Sequence, residues 1–393
     1  MAHIIPFKGI RYSQKTSRAA QRGLGGLICP PYDVISDEQR KKFISLSKHN
    51  FVNIELPESN KKAKKILNSW LKNRALERDS APSIYIYRQE FEVKGRTFKR
   101  TGIFAALELD ESKIHRHEKT IQKHIDRRFE LLKEVKVNTS PIFCIFPDKT
   151  KTITKLILGT SRKSKPAVFT TADKITHYFW KLSDEKTIAL LTNKLKKVSL
   201  VIADGHHRCR TGLLYKELMS KNGKPGERSG APYNYILAFL CAIEDPGLII
   251  LPTHRVVKDY PDIKEKIRKY FTLSAWDGKS TPRLACCHNG EFMVMKLKTA
   301  CAKNRNKLEL SISAVVLRDF VLDETDPGDI FYTKDIDEAV KKAHEIQGYA
   351  FLLDAPDVNN VYKLSEQGII MPQKTTYFFP KVPAGLVIYD ING

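Results

Sequence analysis

A mixed α/β fold built from more than one packed subdomain is what this sequence predicts. Three observations lead there. Strand-like and helix-like periodicities alternate along the whole chain, and hairpin signals recur too often for a simple doubly wound parallel sheet. The chain is also 393 residues long, more than a single core usually supports.

The N-terminal stretch reads as a loop to the Pro30-Pro31 turn, then a helix capped by Ser36 with Asp37 and Glu38 in its first turn. Phe51 to Leu56 reads as a strand and Lys61 to Ala75 as a basic helix. The alternating, aromatic run Ser83 to Phe91 predicts a half-buried strand, paired with Thr97 to Leu109 across Lys94-Gly95. From Thr120, Ile121, Ile125, Leu132 and Val135 mark a helical stripe. Ser140 to Phe146 follows as a buried strand, and 161–167 as an exposed linker. A helix capped by Ser183 reaches Lys197. The run Val198 to Ile202 is a short buried strand entering Asp204-Gly205, and Thr211 to Lys221 is a helix with a Gly223 cap and Pro225 beyond. Tyr235–Ile243 and Gly247–Pro252 read as two strands joined by a Pro-Gly turn. Helices are expected near 262–271, 312–320, 335–345 and 358–366, and strands at 292–297 and 349–353.

Composition narrows the function classes. Hydrophobic residues make up 42% and charged residues 28%, so the chain can bury a core and is not of the disordered type. The N-terminus carries no secretory signature, and no apolar run approaches the roughly 20 residues of a membrane span. A soluble, cytoplasmic protein with no membrane partner is expected. Seven cysteines, with no Cys-x-x-Cys pair, argue for free thiols rather than a disulfide framework or a zinc ribbon. The net charge of +23 admits nucleic acid, anionic membranes and phosphorylated metabolites alike. The basic residues are dispersed, so charge alone does not choose.

The strongest chemical signal is an apolar strand running into Asp204-Gly205-His206-His207-Arg208 and then a helix. Glycine permits a tight turn, and a helix start offers unpaired amide hydrogens and a positive dipole end to an anion. His206, His207 and Arg208 add donors there. Phosphate suits such a site, and Asp204 could hold magnesium or orient a hydroxyl. A purely geometric turn with solvent-facing histidines is the alternative.

A second cluster is His115-Arg116-His117-Glu118-Lys119-Thr120. Its glutamate has the chemistry of a general base. His115 and His117 could instead ligate zinc, or the segment could be a solvated loop. On the following helix, Asp126 and Arg127 stand in a charge run. Thr253-His254-Arg255 reads as a structural turn. Met371 to Lys381 is rich in hydroxyls and lysines, where Lys374 and Thr375 could serve an anion or the aromatics could simply anchor the chain. No Gly-x-x-x-x-Gly-Lys-Ser/Thr loop, protein-kinase motif set or Gly-x-Ser-x-Gly elbow occurs.

Together, Pro30 to Ile35, Glu55 to Glu58, His117 to Thr120, Asp126-Arg127, Ser140 to Phe143, Asp204 to Arg208, Thr253 to Arg255 and Met371 to Phe378 resemble an uncharacterised family related to free L-serine kinases. The segments run in order over nearly the whole chain. The Asp204 to Arg208 turn also looks like the nucleotide-binding turn of the superfamily that contains ParB nucleotidases and sulfiredoxin. The resemblance implies a ParB/sulfiredoxin-like core at 100–255, with an N-terminal α/β subdomain at 1–99 and a C-terminal one at 256–393. It implies transfer of a phosphoryl group from ATP, or alternatively ADP, to the hydroxyl of L-serine or a similar metabolite, with Mg2+. Glu118, His117 and Asp204 would be catalytic, and Asp204 would also be the metal ligand. Gly205, His206, His207, Arg208, Lys374 and Thr375 would bind the nucleotide. The chain departs from sulfiredoxin in having His206-His207 where that chemistry needs a cysteine. A second reading is a nucleotide-dependent DNA-binding or regulatory ParB-like protein, motivated by the +23 charge and this turn, although the chain lacks a helix-turn-helix reader. A histidine-metal hydrolase is a third reading.

Overall fold

The computed structural model describes residues 3–118, 120–222, 230–276 and 282–392. The expected Gly223 cap and Pro225 lie outside the described residues, as does Lys119. Contacts divide the chain into two compact units. The first comprises 1–115, 120–248 and 380–393, and the second comprises 116–119 and 249–379. Both are mixed α/β.

The first unit is organised by a nine-stranded sheet. Its strands are β1 (Ile4–Ile5), β2 (Ile84–Val93), β3 (Arg96–Glu108), β4 (Ile114–His115), β5 (Ile142–Phe146), β6 (Ala167–Thr170), β7 (Thr176–Leu182), β8 (Leu200–Asp204) and β9 (Tyr235–Ala242). The order is β4-β8-β5-β9-β3-β2-β7-β6, with β1 on β3. Only β8 with β4 and β9 with β5 are parallel. The predicted hairpin over 84–108 forms, with Lys94 and Gly95 at positive φ in its two-residue turn. Strand β9 is buried along its whole length, as expected of a strand packed on both faces.

The second unit carries a six-stranded antiparallel sheet of β10 (His254–Lys258), β11 (Phe271–Ala275), β12 (Leu284–His288), β13 (Glu291–Leu297), β14 (Phe331–Thr333) and β15 (Gly348–Leu353). Its order is β11-β13-β12-β15-β10-β14. Helices Pro261–Tyr270, Ser313–Phe320 and Val358–Glu366 contribute Ile263, Ile267, Val315, Leu317, Val361 and Leu364 to one of its cores.

Several local expectations need correction. Phe51 to Leu56 is not a strand: Val52–Glu55 is a single helical turn. The Asn50 carboxamide starts it by accepting from Val52 N at 3.0 Å while donating to the Gly26 and Ile28 carbonyls. Tertiary packing of Val52 and Ile54 overrides the β-like alternation. The linker at 161–167 is shorter than expected, since helix Thr152–Ser161 and strand β6 flank it. The helix before β8 is capped by Asp184, not Ser183. Tyr235–Ala242 and Ile249–Leu251 are strands, but the latter pairs with Tyr377–Phe379 instead of with its neighbour in sequence.

All seven cysteines are free and six are buried. Among the described residues no helix is long and apolar enough to cross a membrane.

A buried histidine gives the first unit an acid sensitivity. On β7, His177 stacks on Phe169 at 4.8 Å between ring centroids, with Nδ1 2.6 Å from the Tyr87 hydroxyl and Nε2 2.9 Å from Thr171 Oγ1. Burial, with a lesser push from Arg100, lowers its pKa to about 3. The unfolded chain protonates near the ordinary value of about 6.5. Between those two values the unfolded state holds the extra proton, so stability is complete above about 6.5 and falls as pH drops, at up to about 1.4 kcal/mol per pH unit. Melting temperatures from pH 7 to pH 4 should therefore decline less steeply in His177→Gln than in the wild type.

Candidate active site

Strand β8 delivers the predicted turn. Leu200, Val201 and Ile202 are fully buried, and pairing with β5 slips by a residue between Ile202 and Asp204, which turns the strand end away from the ladder. Gly205 adopts φ +93°, and a Cβ there would lie 3.0 Å from the Arg208 guanidinium carbon. Any other residue would be strained and would crowd Arg208. The helix starts at His206 and runs to Asn222, five residues earlier than expected, with Cys209 N donating to Gly205 O at 2.9 Å. His206, His207 and Arg208 therefore form its first turn, where backbone amides have no intrahelical partner.

The Asp204 carboxylate is gripped on both oxygens. Arg208 Nη2 donates to Oδ2 and Lys381 Nζ to Oδ1, and Arg208 Nη1 donates to the Pro141 carbonyl. Side-chain exposure is only 7% for Arg208, 12% for Lys381 and 15% for Asp204. Burial alone would raise the Asp204 carboxyl, but Lys381 and Arg208 outweigh it and hold it well below the usual carboxylate range. His207 Nε2 accepts from Ile121 N at 2.9 Å, which puts a neutral ring's proton on Nδ1, and the ring stands edge-on to His124 at 5.3 Å.

Lys381 is itself placed by a buried arginine. Arg100, fully buried, donates through Nη2 to Gln89 Oε1 and the Pro380 carbonyl. Gln89 Nε2 donates to Lys381 O at 3.1 Å. Burial depresses the Arg100 pKa, yet Arg100 retains a cationic contact to the Phe143 face at 4.9 Å. Behind the turn, the buried Glu55 carboxylate accepts from Tyr32 N at 3.1 Å, Ser140 Oγ at 2.8 Å and Arg128 Nη2 at 3.3 Å. Arg128 also donates to Thr139 Oγ1 at 2.6 Å and faces the Tyr32 ring at 4.3 Å.

The other predicted group lies in the second unit. Glu118 pairs as a parallel bridge with Met371, whose N donates to His117 O at 2.8 Å. Glu118 Oε1 accepts from Lys374 N at 3.4 Å, and His117 Nε2 lies 3.1 Å from Thr376 Oγ1. Lys374 has φ +55° and an exposed side chain. Thr375 is buried, with its hydroxyl donated back to Pro372 O at 2.7 Å. The buried Arg255 donates to Thr253 O at 3.0 Å and Gln373 O at 3.3 Å, holding this turn. Burial lowers its pKa to about 10. His115 ends β4 of the first unit, whereas His117 belongs to the second.

The family model described as "Protein of unknown function (DUF1015)" matches residues 4–319. The chain belongs to that family. Among solved structures, a mutant free serine kinase in complex with AMP is 14% identical, covers 72% of the DUF1015 chain and 92% of its own, and has a TM-score of 0.38. A mutant of a free serine kinase in complex with ADP is 15% identical over the same shares, also with a TM-score of 0.38. SbnI with a C-terminal truncation, from Staphylococcus aureus, is 9% identical, covers 71% of the DUF1015 chain and 84% of its own, and has a TM-score of 0.39. Likeness of this degree assigns no activity. Among the curated proteins no significant match was found.

In the DUF1015 chain the structure brings Asp204, Gly205 and Arg208 together in one unit, and Glu118, His117, Lys374 and Thr375 together in the other. Within the basic C-terminal stretch, the lysine that reaches Asp204 is Lys381. On the helix Gln122–Val135, the charge turned inward is Arg128; Asp126 and Arg127 stay exposed. Spacing could have shown this, because Arg128 falls on the apolar stripe between Ile125 and Leu132.

Proposed function

We propose that this protein is a small-molecule kinase that transfers a phosphoryl group from ATP to the hydroxyl of free L-serine, giving O-phospho-L-serine and ADP. The observation that carries the reading is the Asp204 to Arg208 turn: a buried strand, a glycine at φ +93°, a 17-residue helix starting at His206, and two cationic side chains converging on one carboxylate. Such a turn suits nucleotide phosphates, with helix amides donating and fixed cationic groups nearby. The acceptor comes from the sequence resemblance set out above.

In the proposed reaction the Glu118 carboxylate takes the hydroxyl proton as the serine oxygen attacks the γ-phosphorus. The oxygen–phosphorus bond forms, the bond from the γ-phosphorus to the bridging oxygen breaks, and ADP leaves. His117, tied to Thr376 and to the Met371 backbone, keeps the Glu118 segment in place. His206, His207 and Arg208 are assigned to the phosphates, along with Lys374. The Thr375 hydroxyl is directed back at its own turn, so its role is to shape the loop. Asp204 fits magnesium poorly, because each of its oxygens already receives a cationic donor. Its proposed role is to position Arg208 and Lys381.

Purified protein supplied with ATP or ADP, magnesium and a panel of amino acids and polyols is expected to phosphorylate serine fastest. A faster reaction with another hydroxyl compound would keep the kinase and replace the acceptor, while no product from any donor–acceptor pair would remove the reading.

A further inference from the structure

The first unit carries two wide grooves away from the turn just described. One, of about 1180 Å3, is lined by 11–16, 19–20, 47–49, 73–75 and 77–80. The other, of about 580 Å3, is lined by Arg11, Tyr12, Gln14, Ser17, Arg18, 22–24, 167–169, Phe179 and Leu386. They share Arg11, Tyr12 and Gln14, so they meet around one short helix, Gln14–Ala19.

Charge in these grooves is one-sided. Lys15, Arg18, Arg22, Lys48 and Arg74 line them with exposed side chains, and none of the five forms an ion pair among the described residues. Of the two carboxylates in the lining, Asp79 is already taken by Arg11 at 2.6 Å, Lys181 at 3.2 Å and the Tyr85 hydroxyl at 2.7 Å. Glu77 alone opposes five cationic side chains. Those charges repel one another across a concave surface, which the folded state retains at a cost unless a polyanion relieves it.

We propose that these joined grooves bind the phosphodiester backbone of a nucleic acid. Three features favour this partner. The larger groove exceeds the roughly 300–1,000 Å3 of a small-molecule pocket and continues into the second, so the matching ligand is extended. Arginine, which grips phosphate with a planar fork of donors, supplies three of the five free cationic groups. Val168, 55% exposed on edge strand β6 within the second groove, adds apolar surface that a base would cover. A membrane surface would call for a flat or convex amphipathic face with large apolar side chains, and these grooves are concave and polar.

The test uses the full-length protein with fluorescent 20-nucleotide single strands and the matching duplex, read by anisotropy between 50 and 200 mM salt. Wild type should bind at least one form with steep salt dependence. The variant Lys15→Ala/Arg18→Ala/Arg74→Ala should bind about tenfold or more weakly at 50 mM, with a salt slope shallower by about 2 for single strands or 3 for duplex. Circular dichroism should show both proteins equally folded. The control Lys61→Ala/Lys65→Ala/Lys264→Ala removes the same charge from exposed sites elsewhere and should bind within twofold of wild type. The proposal is overturned by any of four outcomes: no oligonucleotide binding, a groove variant within twofold of wild type, a control variant that loses as much, or binding only to phosphatidylserine vesicles or polyglutamate.

Discussion

Glu118→Gln is expected to lower turnover by about 10²–10⁴-fold, the range lost when a positioned general base is removed, while the dissociation constant for nucleotide changes less than threefold. The substitution keeps the side chain's shape and its ability to accept from Lys374 N. It removes the capacity to take a proton together with the negative charge that faces Arg255. The surrounding scaffold should survive, because the segment is held mainly by the backbone bond from Met371 N to His117 O and by the arginine under the 371–376 turn. Single-turnover phosphotransfer and equilibrium nucleotide binding, measured on the same preparation, separate the possibilities. If affinity falls in step with turnover, Glu118 is a binding group and the base lies elsewhere.

Asp204→Ala carries the second large effect, on stability. It leaves Arg208 and Lys381 side by side, both mostly buried, with no anion between them. Removing one partner of a buried ion pair typically costs about 3–5 kcal/mol, which lowers the melting temperature of a unit of this size by about 10 °C. Adding Lys381→Met should recover part of the loss, since a mostly buried cation that has lost the Asp204 carboxylate is then removed; a double variant no more stable than the single one would show that Lys381 does not depend on Asp204. The pH dependence has a definite sign. The folded carboxyl titrates below its unfolded value, so its contribution is complete above about pH 4 and disappears as pH falls further. Wild type should lose this part of its stability in strong acid, and Asp204→Asn should show no such step.

Much of this architecture was legible in the residues because local pattern and tertiary demand agreed. The hairpin over 84–108 is dense in aromatic and branched residues around a glycine turn, although Ile84–Tyr87 are buried at successive positions rather than on one face, and helix Val358–Glu366 appears with its predicted limits. Where the two disagree, tertiary context prevails, as in the helical turn at 52–55 that Asn50 nucleates against its β-like pattern. The site divides in the same way. Asp204-Gly205 is contiguous with the helix it caps, so its geometry follows from a short window. Lys381 is 177 positions from Asp204, and no local spacing could connect them. Glu55 has no local signature, because the groups that fix it in its fully buried position, Arg128 and Ser140, lie 73 and 85 positions away.

Transfer of a phosphoryl group to the hydroxyl of free L-serine is tested most directly by phosphorus NMR of purified protein with ATP, magnesium and L-serine. An O-phosphoserine resonance should grow in step with ADP and be absent with Glu118→Gln. ATP left unchanged, or hydrolysed only to inorganic phosphate with ADP equally inert as donor, would contradict it.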